Sequence, residues 1–477
     1  MPYPAHSVPY RPPAQAQRRA VRMVPARRLN DLTTLSTVIV LAGLLVAGVA
    51  ILYAETANQA FAYPAPFVGA ALAIAATVEA RAGLRNLVRV DLFMLGVLYL
   101  LTFFEFLLPQ DPVPPLVTLE AAQTAVQATL LGFAGIVLGR HVFPARRPLP
   151  SEVHFRVSPR VTIWLLLGCA FFGYLYMLLA VRFDIFEMIY QMSRPRFSQP
   201  WTRGRLGGFS TLLNEVGLLT YLLPPLAASV FAQGRRYTLV QRAIAASIVG
   251  LVFYEGFAGG TRNVFLTHLI TFTVTYALLM PRLTLWRLLA LAVPLFAVAG
   301  FAVYYLPEIR TVGLGNFELE TARTDSLFVD LNLINIAILT QAFPNQVGYL
   351  GFEIPFTAAV RPIPRALWPG KPEGLSVSIE EVIGVSGMTL SATFVGELWM
   401  AGGFPAIAIM ALALGAAAAR WNRIGAVATT NMTLILFASG FFPAGIAMRS
   451  FLGVGPTLLP LIALNLLTRI VGPRSSK

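Results

Sequence analysis

Residues Leu32–Tyr53 read LTTLSTVIVLAGLLVAGVAILY, a run of 22 residues without a charged side chain. An α-helix rises about 1.5 Å per residue, so roughly 20 apolar residues are enough to cross the ~30 Å hydrocarbon core of a bilayer. The run is too long for the apolar region of a signal peptide, and no convincing cleavage site follows it. The sequence therefore predicts a retained membrane anchor at this position.

Similar apolar runs recur along the whole chain of 477 residues, which is 56% hydrophobic and 12% charged with a mean hydropathy of +0.69. The runs are solidly apolar and do not alternate with polar residues, which favours helices over a β-barrel. The predicted fold is therefore an all-α polytopic membrane protein with about twelve transmembrane helices. The expected spans are 32–53, 61–80, 91–109, 117–139, 160–181, 209–232, 244–258, 264–280, 288–305, 391–418, 427–447 and 455–470.

The segments between these runs give the expected organisation of the chain. Residues 1–30 are rich in Pro, Ala and Arg and predict a disordered basic tail. Residues 31–305 then hold helices 1–9 and include a basic loop at 182–208. A large extracytoplasmic loop is expected at 306–390, in which 325–343 is amphipathic and either lies in the membrane interface or re-enters the membrane. Helices 10–12 follow at 391–470, and 471–477 form a short tail.

The distribution of Lys and Arg predicts the orientation. With the N-terminus in the cytoplasm, 24 of the 36 basic residues fall in cytoplasmic segments and 12 fall outside. Short connections on the outer side, such as ETANQA (55–60) and PQDPVPP (109–115), have no basic residue. This bias also explains the formal charge of +14, so that charge does not indicate a nucleic-acid ligand. Both termini are expected to be cytoplasmic, in the cytoplasmic (inner) membrane of a bacterium.

Basic residues on the outer side oppose the usual charge bias, so a functional reason is expected for them. Planar guanidinium groups suit bidentate recognition of phosphate, which predicts a phosphate or diphosphate ligand, plausibly lipid-linked. The alternative is that these arginines contact lipid head groups or pair with Asp184, Glu187 and Glu318. The candidates in the basic loop are Arg194, Arg196, Arg203 and Arg205, and those in the last third of the chain are Arg361, Arg365, Lys371 and Arg449.

The turn Gly259–Asn263 (GGTRN) places Arg262 between two apolar runs, where glycines permit close backbone approach. The alternative is a plain hairpin from which Arg262 extends to the interface. In the later loop, Pro362 and Pro364 exclude a regular helix between Arg361 and Arg365. Trp368 beside these cations suggests a sugar-binding platform, or else an interfacial anchor.

Acidic residues inside apolar runs are costly and are therefore functional candidates. Glu397 is the first choice for orienting or deprotonating a sugar hydroxyl, and Glu255 is the second. The alternative for both is a salt bridge to an arginine. Glu105 and Glu120 flank an outer loop, which favours a structural role. Cys169 stands alone, and the four histidines show no metal-ligand spacing. No Ser-His-Asp set, Walker loop or metal motif is present, so no cofactor or metal is expected.

The general plan of the chain and the pattern IPRALWPGKP (363–372), followed by Ser391-Ala392-Thr393 and Gly396-Glu397, resemble the bacterial O-antigen and oligosaccharide repeat-unit polymerases of the Wzy type. The resemblance implies a metal-independent glycosyltransferase with a GT-C-like membrane fold. It implies transfer of a glycan from polyprenyl diphosphate to a hydroxyl of a second lipid-linked repeat unit. The partners it implies are membrane lipids and a chain-length regulator. Some members have an Arg, ten residues and a Gly in their basic loops. Arg196 and Gly207 have that spacing, whereas eleven residues after Arg361 and Arg365 stand Pro372 and Ser376.

The resemblance also assigns roles: the basic loops hold diphosphates and Arg262 neutralises the leaving group. O-antigen ligases share this plan, but they are expected to use a histidine in the large outer loop, and 306–390 contains none. A transporter or flippase of the same anionic ligands is the alternative from another class. It predicts charged residues lining both halves of the membrane, whereas the unexplained polar sequence here lies on one side.

Overall fold

The structure, a computed structural model, describes residues 26–108, 112–142, 157–201, 210–280, 283–319, 331–363, 367–368, 370–372, 374–378, 382, 391–428 and 430–471. Within these ranges the chain forms α-helices joined by turns and short 3-10 helices, with no β-strand. Nine described helices are long and apolar enough to cross a membrane. The all-α polytopic class is therefore confirmed.

The described residues up to Val312 form twelve α-helices. They are α1 Ala26–Ala50, α2 Ala57–Ala62, α3 Pro64–Ala80, α4 Val90–Thr102, α5 Leu119–Gly139, α6 Pro159–Ala180, α7 Ile185–Met192, α8 Ser210–Gly217, α9 Leu223–Ala232, α10 Leu239–Ala258, α11 Arg262–Leu279 and α12 Leu285–Val312. The described residues after Val312 form seven more α-helices. They are α13 Asn332–Ala342, α14 Glu353–Val360, α15 Thr393–Val427, α16 Asn431–Ser439, α17 Phe441–Arg449, α18 Val454–Thr457 and α19 Leu459–Val471.

Short 3-10 helices extend or join several of these elements. They lie at Ile51–Tyr53, Leu84–Leu87, Phe104–Leu107, Arg196–Ser198, Leu218–Leu222, Gly234–Arg236 and Leu314–Asn316. Several α-helices begin with a hydroxyl cap, as expected where the first backbone N–H groups lack partners. At α10, for example, Thr238 and Gln241 form a reciprocal capping box.

Three of the twelve predicted spans correspond to helices that are shorter or more polar than the nine candidates. The predicted span 91–109 is the 13-residue helix α4, and the span 455–470 begins with the short helix α18. The predicted span 264–280 is α11, an 18-residue helix that carries Arg262, Asn263 and His268. The helix itself was predicted correctly, but its polar side chains keep it outside the set of nine.

The helices pack around two main apolar clusters. The first joins α1, α3, α4, α5, α13 and α15, and its fully buried members include Phe61, Phe133 and Phe394. The second joins α6, α7, α9, α10 and α16, with Leu222 and Leu226 at its centre. Many large apolar side chains on the outside of the bundle remain exposed, as expected for a surface that faces lipid.

Helix α13 lies inside the first cluster. Ile336, Ala337 and Leu339 are almost completely buried, and the Asn332 amide donates to the Leu101 carbonyl oxygen at 2.8 Å. With 11 residues the helix is too short to span a bilayer. It belongs to the predicted amphipathic segment 325–343, of which the structure describes residues 331–343, and there it packs against other helices of the protein.

Helix α15 is kinked at Gly402 and Gly403, which have non-helical backbone angles. The kink frees backbone carbonyls, and Pro405 supplies no N–H to the helix. A neighbouring loop supplies donors to two of these carbonyls. Leu350 N donates to the Met400 oxygen at 2.8 Å, and Gly351 N donates to the Ala401 oxygen at 2.9 Å. The inserted loop thus fixes the start of α15, where Glu397 lies.

Helix ends that were predicted to share the cytoplasmic side contact one another. Arg89 binds Glu79 at 3.1 Å and Asp91 at 2.8 Å, and Arg140 lies 3.4 Å from Asp91 and 3.7 Å from Glu79. Arg140 also donates to the Thr33 carbonyl oxygen at 2.8 Å. These two cations and two carboxylates, here called the ion cluster, compensate one another at the junction of α1, α3, α4 and α5.

Candidate functional site

The turn Gly259–Asn263 joins α10 to α11 at the opposite end of the helices from the ion cluster. Gly260 has φ +62°, which favours glycine. A Cβ atom at Gly260 would lie 2.5 Å from the backbone nitrogen, Cα and Cβ of Arg310. The turn therefore needs glycine for two reasons, and the backbone of α12 packs directly against it.

Arginines from two other parts of the chain bind this turn. Arg196, from the loop after α7, donates through Nη1 to Thr261 Oγ1 at 2.9 Å. Arg449, the last residue of α17, donates through Nε to the side-chain oxygen of Asn263 at 3.0 Å, with that amide turned toward the guanidinium, and also through Nη1. Together with Arg262 and Arg310 they form what we call the arginine cluster.

Arg310 is placed by contacts between the end of α12 and the loop after α7. Its guanidinium carbon lies 5.4 Å from the centre of the Phe197 ring, a cation–π contact. Leu314 N donates to the Ser193 carbonyl oxygen at 2.8 Å. The same loop therefore supplies Arg196 to the cluster and orients Arg310 within it.

Like charges lie near one another in the arginine cluster. Burial lowers the pKa of the Arg196 guanidinium below its usual value, and the neighbouring charges of Arg310 and Arg449 lower it further. A bound anion would offset the mutual repulsion of these cations and would accept their charge-assisted hydrogen bonds. The electrostatics of the site therefore suit a phosphate-containing ligand.

A buried polar group lies on the helices that carry the turn. The Tyr174 hydroxyl donates to Glu255 Oε2 at 3.0 Å, and no described residue donates to Glu255 Oε1. Tyr176 and Tyr221 lie within electrostatic reach of both Glu255 and Arg196. Glu255 thus lies one helical turn before Gly259 and shares two tyrosine neighbours with Arg196.

Aromatic stacking holds Tyr221 in this group. Its ring stacks on Phe442 with 3.6 Å between centroids and 7° between planes, and its centroid lies 4.6 Å from that of His268. His268 is fully buried, and neither ring nitrogen has a hydrogen-bond partner among the described residues. The rings fix the orientation of the Tyr221 side chain beside Glu255.

Glu397 holds the segment that follows Arg449 in place through hydrogen bonds, a role that we call a brace. Its carboxylate accepts from Ser450 Oγ at 2.6 Å and from Leu452 N at 2.9 Å. Arg361 Nη1 donates to the Leu452 carbonyl oxygen at 3.3 Å and lies within electrostatic reach of Glu397. Both carboxylate oxygens are therefore engaged in holding the turn that ends α17.

The remaining predicted cations are further from the turn or point elsewhere. Lys371 donates through Nζ to the carbonyl oxygens of Arg361 at 2.6 Å and Ile363 at 2.9 Å, so it stabilises its own loop. Arg361, Trp368 and Arg194 are exposed at the surface. The predicted candidates Arg203, Arg205 and Arg365 lie outside the described residues.

The structure thus brings two of the predicted arginines, Arg196 and Arg449, to the turn that carries a third, Arg262. It adds Arg310 and Asn263, which the sequence analysis did not select. Their sequence signal is weak: Arg310 follows the predicted span 288–305, and Asn263 follows Arg262 directly. Among the described residues no three His, Cys, Asp or Glu side chains come together as metal ligands.

Comparisons of the chain with protein-family models, with curated proteins and with solved structures found no match. The functional assignment therefore depends on the geometry of the site and on the resemblance of the sequence pattern.

Proposed function

We propose that the protein polymerises polyprenyl-diphosphate-linked oligosaccharide repeat units at the outer face of the bacterial cytoplasmic membrane. In this proposal twelve helices cross the membrane in a GT-C-like arrangement, with both termini in the cytoplasm and the arginine cluster outside. The enzyme is a metal-independent glycosyltransferase whose donor and acceptor are both lipid-linked.

One observation supports the proposal most directly: arginines from separate parts of the chain converge on the Gly259–Asn263 turn. Arg196 binds Thr261 and Arg449 binds Asn263, while Arg310 packs against Gly260. Gathering like charges costs free energy, and an anionic ligand that binds them lowers this cost. A diphosphate has enough oxygens to bind several guanidinium groups at once.

The cluster suits the departure of a diphosphate. As the acceptor hydroxyl oxygen bonds to the anomeric carbon of the donor, the bond from that carbon to the diphosphate oxygen breaks. Negative charge then grows on the leaving oxygen, where fixed cations in a site shielded from water stabilise it. Arg196, Arg310 and Arg449 hold the diphosphate in this proposal, and Arg262 neutralises the leaving oxygen.

The acceptor must also lose a proton, and the geometry favours Glu255 as the group that takes it. Glu255 has one oxygen bound by Tyr174 and one without a donor among the described residues. Glu397, the first choice from the sequence, has both oxygens engaged with Ser450 and Leu452. We therefore assign Glu255 as the base and Glu397 as a brace for Arg449.

The ion cluster at the other end of the helices supports an enzyme over a transporter. There Arg89 and Arg140 pair directly with Glu79 and Asp91, so those charges neutralise one another. A path for an anionic ligand through the membrane needs cations available to that ligand at both ends. At this end the cations are already paired with carboxylates.

The test uses purified protein in lipid nanodiscs with lipid-linked repeat units and no nucleotide sugar. Wild-type protein is expected to lengthen the glycan, and Arg262→Ala is expected to abolish lengthening while the protein remains folded. Thr261→Val removes the acceptor for Arg196 and is expected to lower the rate, whereas Thr77→Val, at an exposed hydroxyl that bonds only within its own helix, serves as the control. Normal glycan length with Arg262→Ala would show that the assignment is wrong.

Variants of the two acids separate their roles. If Glu397 is a brace, Ser450→Ala and Glu397→Gln lower the rate by similar factors, and Glu255→Gln abolishes turnover. If Glu397 is instead the base, Glu397→Gln abolishes turnover and Ser450→Ala leaves the rate close to that of the wild type. Thermal unfolding of each variant shows whether lost activity reflects lost structure.

A further inference from the structure

The chain reverses direction sharply between α6 and α7. Arg182 and Phe183 have φ values of 55° and 65°, so two consecutive residues other than glycine adopt the left-handed conformation. Phe183 N donates to the Leu178 carbonyl oxygen at 2.7 Å, which closes the end of α6. Such backbone strain persists only where the surrounding structure enforces it. The turn therefore ends α6 and precedes the start of α7 at Ile185.

One face of α7 is fixed to the bundle. Met188 and Met192 are buried in the second apolar cluster. Asp184 caps the helix by accepting from Glu187 N at 3.0 Å, and the Tyr254 hydroxyl of α10 donates to the Ile189 carbonyl oxygen at 3.4 Å. The helix is therefore held in place at both its start and its middle.

The other side of this segment exposes large apolar side chains, which we call the apolar strip. Phe186 is 87% exposed and Phe197 is 70% exposed. The complete strip consists of Phe183, Ile185, Phe186, Tyr190 and Phe197, each more than half exposed. Exposed apolar side chains also cover the lipid-facing sides of the bundle, so the feature that sets the strip apart is its position beside the arginine cluster.

The apolar strip meets the arginine cluster at Phe197. Phe197 is in the strip, and its ring lies against Arg310. The next residue before it, Arg196, binds Thr261 in the turn. A ligand that occupies both regions has an anionic head and a long apolar part, which is the chemistry of a lipid diphosphate.

We propose that the apolar strip receives the hydrocarbon tail of the lipid diphosphate whose head group the arginine cluster holds. This inference rests on the proposed function and adds the place at which the tail binds. Ordinary lipids of the outer leaflet are the competing occupant. They would cover the strip without making diphosphate binding depend on the length of the tail, and this difference makes the proposal testable.

The experiment measures binding to purified full-length protein in detergent for three probes: inorganic diphosphate, farnesyl diphosphate and a polyprenyl diphosphate with a longer tail. Burial of apolar carbon adds free energy, so the wild type is expected to bind farnesyl diphosphate at least about tenfold more tightly than inorganic diphosphate. In the double variant Phe186→Ser, Tyr190→Ser, the gain in affinity of farnesyl diphosphate over inorganic diphosphate is expected to fall to about threefold or less. The affinity for inorganic diphosphate itself is expected to stay unchanged.

Trp164→Ser is the matched control because Trp164 is 72% exposed on α6 near the helix end remote from the strip. This variant is expected to keep the full gain. If the double variant also keeps the full gain, or loses affinity for inorganic diphosphate to the same extent, the tail site is overturned. If the wild type and Arg449→Ala bind inorganic diphosphate equally well, the proposed function fails as well.

Discussion

Gly260→Ala tests whether the Gly259–Asn263 turn organises the arginine cluster. Gly260 has φ +62°, and an alanine in the left-handed region costs about 1–2 kcal/mol. Its Cβ would also lie 2.5 Å from backbone atoms of Arg310, which cannot yield as a flexible side chain does. Overpacking of this kind costs about 1–3 kcal/mol. The variant should therefore lose about 2–5 kcal/mol of stability, the sum of these two terms.

Alanine variants of two other glycines distinguish the conformational cost from the overpacking cost. Gly351 also has a positive φ, +58°, but has nothing within 4 Å of its Cβ position, so Gly351→Ala should lose only the conformational term. Gly250 is in the interior of α10 with similarly open surroundings, and Gly250→Ala should gain about 0.5–1 kcal/mol. The difference between the first two variants measures the contact between the turn and Arg310.

The assay combines denaturant unfolding in detergent with the affinity for inorganic diphosphate. Gly260→Ala should weaken diphosphate binding by about tenfold or more, the equivalent of about one charge-assisted hydrogen bond, because the turn and Arg310 must move apart. Gly351→Ala should keep the wild-type affinity. The reasoning is refuted if Gly260→Ala is no less stable than Gly351→Ala and binds diphosphate normally.

Three further predictions concern other contacts. Arg140→Met leaves two buried carboxylates with one cation, so it should destabilise the protein by about 3–5 kcal/mol in denaturant unfolding, whereas Arg236→Met, at an exposed position, should not. Partial burial and then Arg140 hold the pKa of the His141 imidazole below its usual value. As pH falls below about 6.5 the unfolded chain takes up the proton first, so stability should fall, and His141→Asn should flatten the pH dependence of thermal unfolding. Glu397→Gln leaves one of two donors without an acceptor and should cost about 1–3 kcal/mol, and a melting temperature equal to that of the wild type would argue against the brace.

The sequence predicted the class of fold because burial in lipid requires long apolar helices, and their composition is visible directly. It also predicted that Arg196, Arg262 and Arg449 share one side, since the charge bias fixes the side of each loop. It did not predict the role of Arg310. Helix α12 continues through Pro307 to Val312, and this places Arg310 against Gly260. That contact depends on tertiary packing between α12 and a turn 50 residues earlier in the chain.

Helix α13 shows a similar limit. An 11-residue helix is too short for the span criterion, and its fully buried environment comes from α5 and α15, which are distant in sequence. The engagement of Glu397 by Ser450 and Leu452 was also invisible, because more than 50 residues separate the partners. Hydrophobic periodicity and charge predict local structure and the side of the membrane on which a loop lies. Whether Glu397 acts as a base or as a brace depends instead on contacts between residues that are distant in sequence.

The most direct measurement is the incubation of wild-type protein in nanodiscs with lipid-linked repeat units and no nucleotide sugar, followed by gel analysis of the glycan. The proposed function predicts a ladder of longer glycans with release of polyprenyl diphosphate, and neither product with Arg262→Ala. Failure of the wild-type protein to lengthen the glycan or release diphosphate would contradict the assignment.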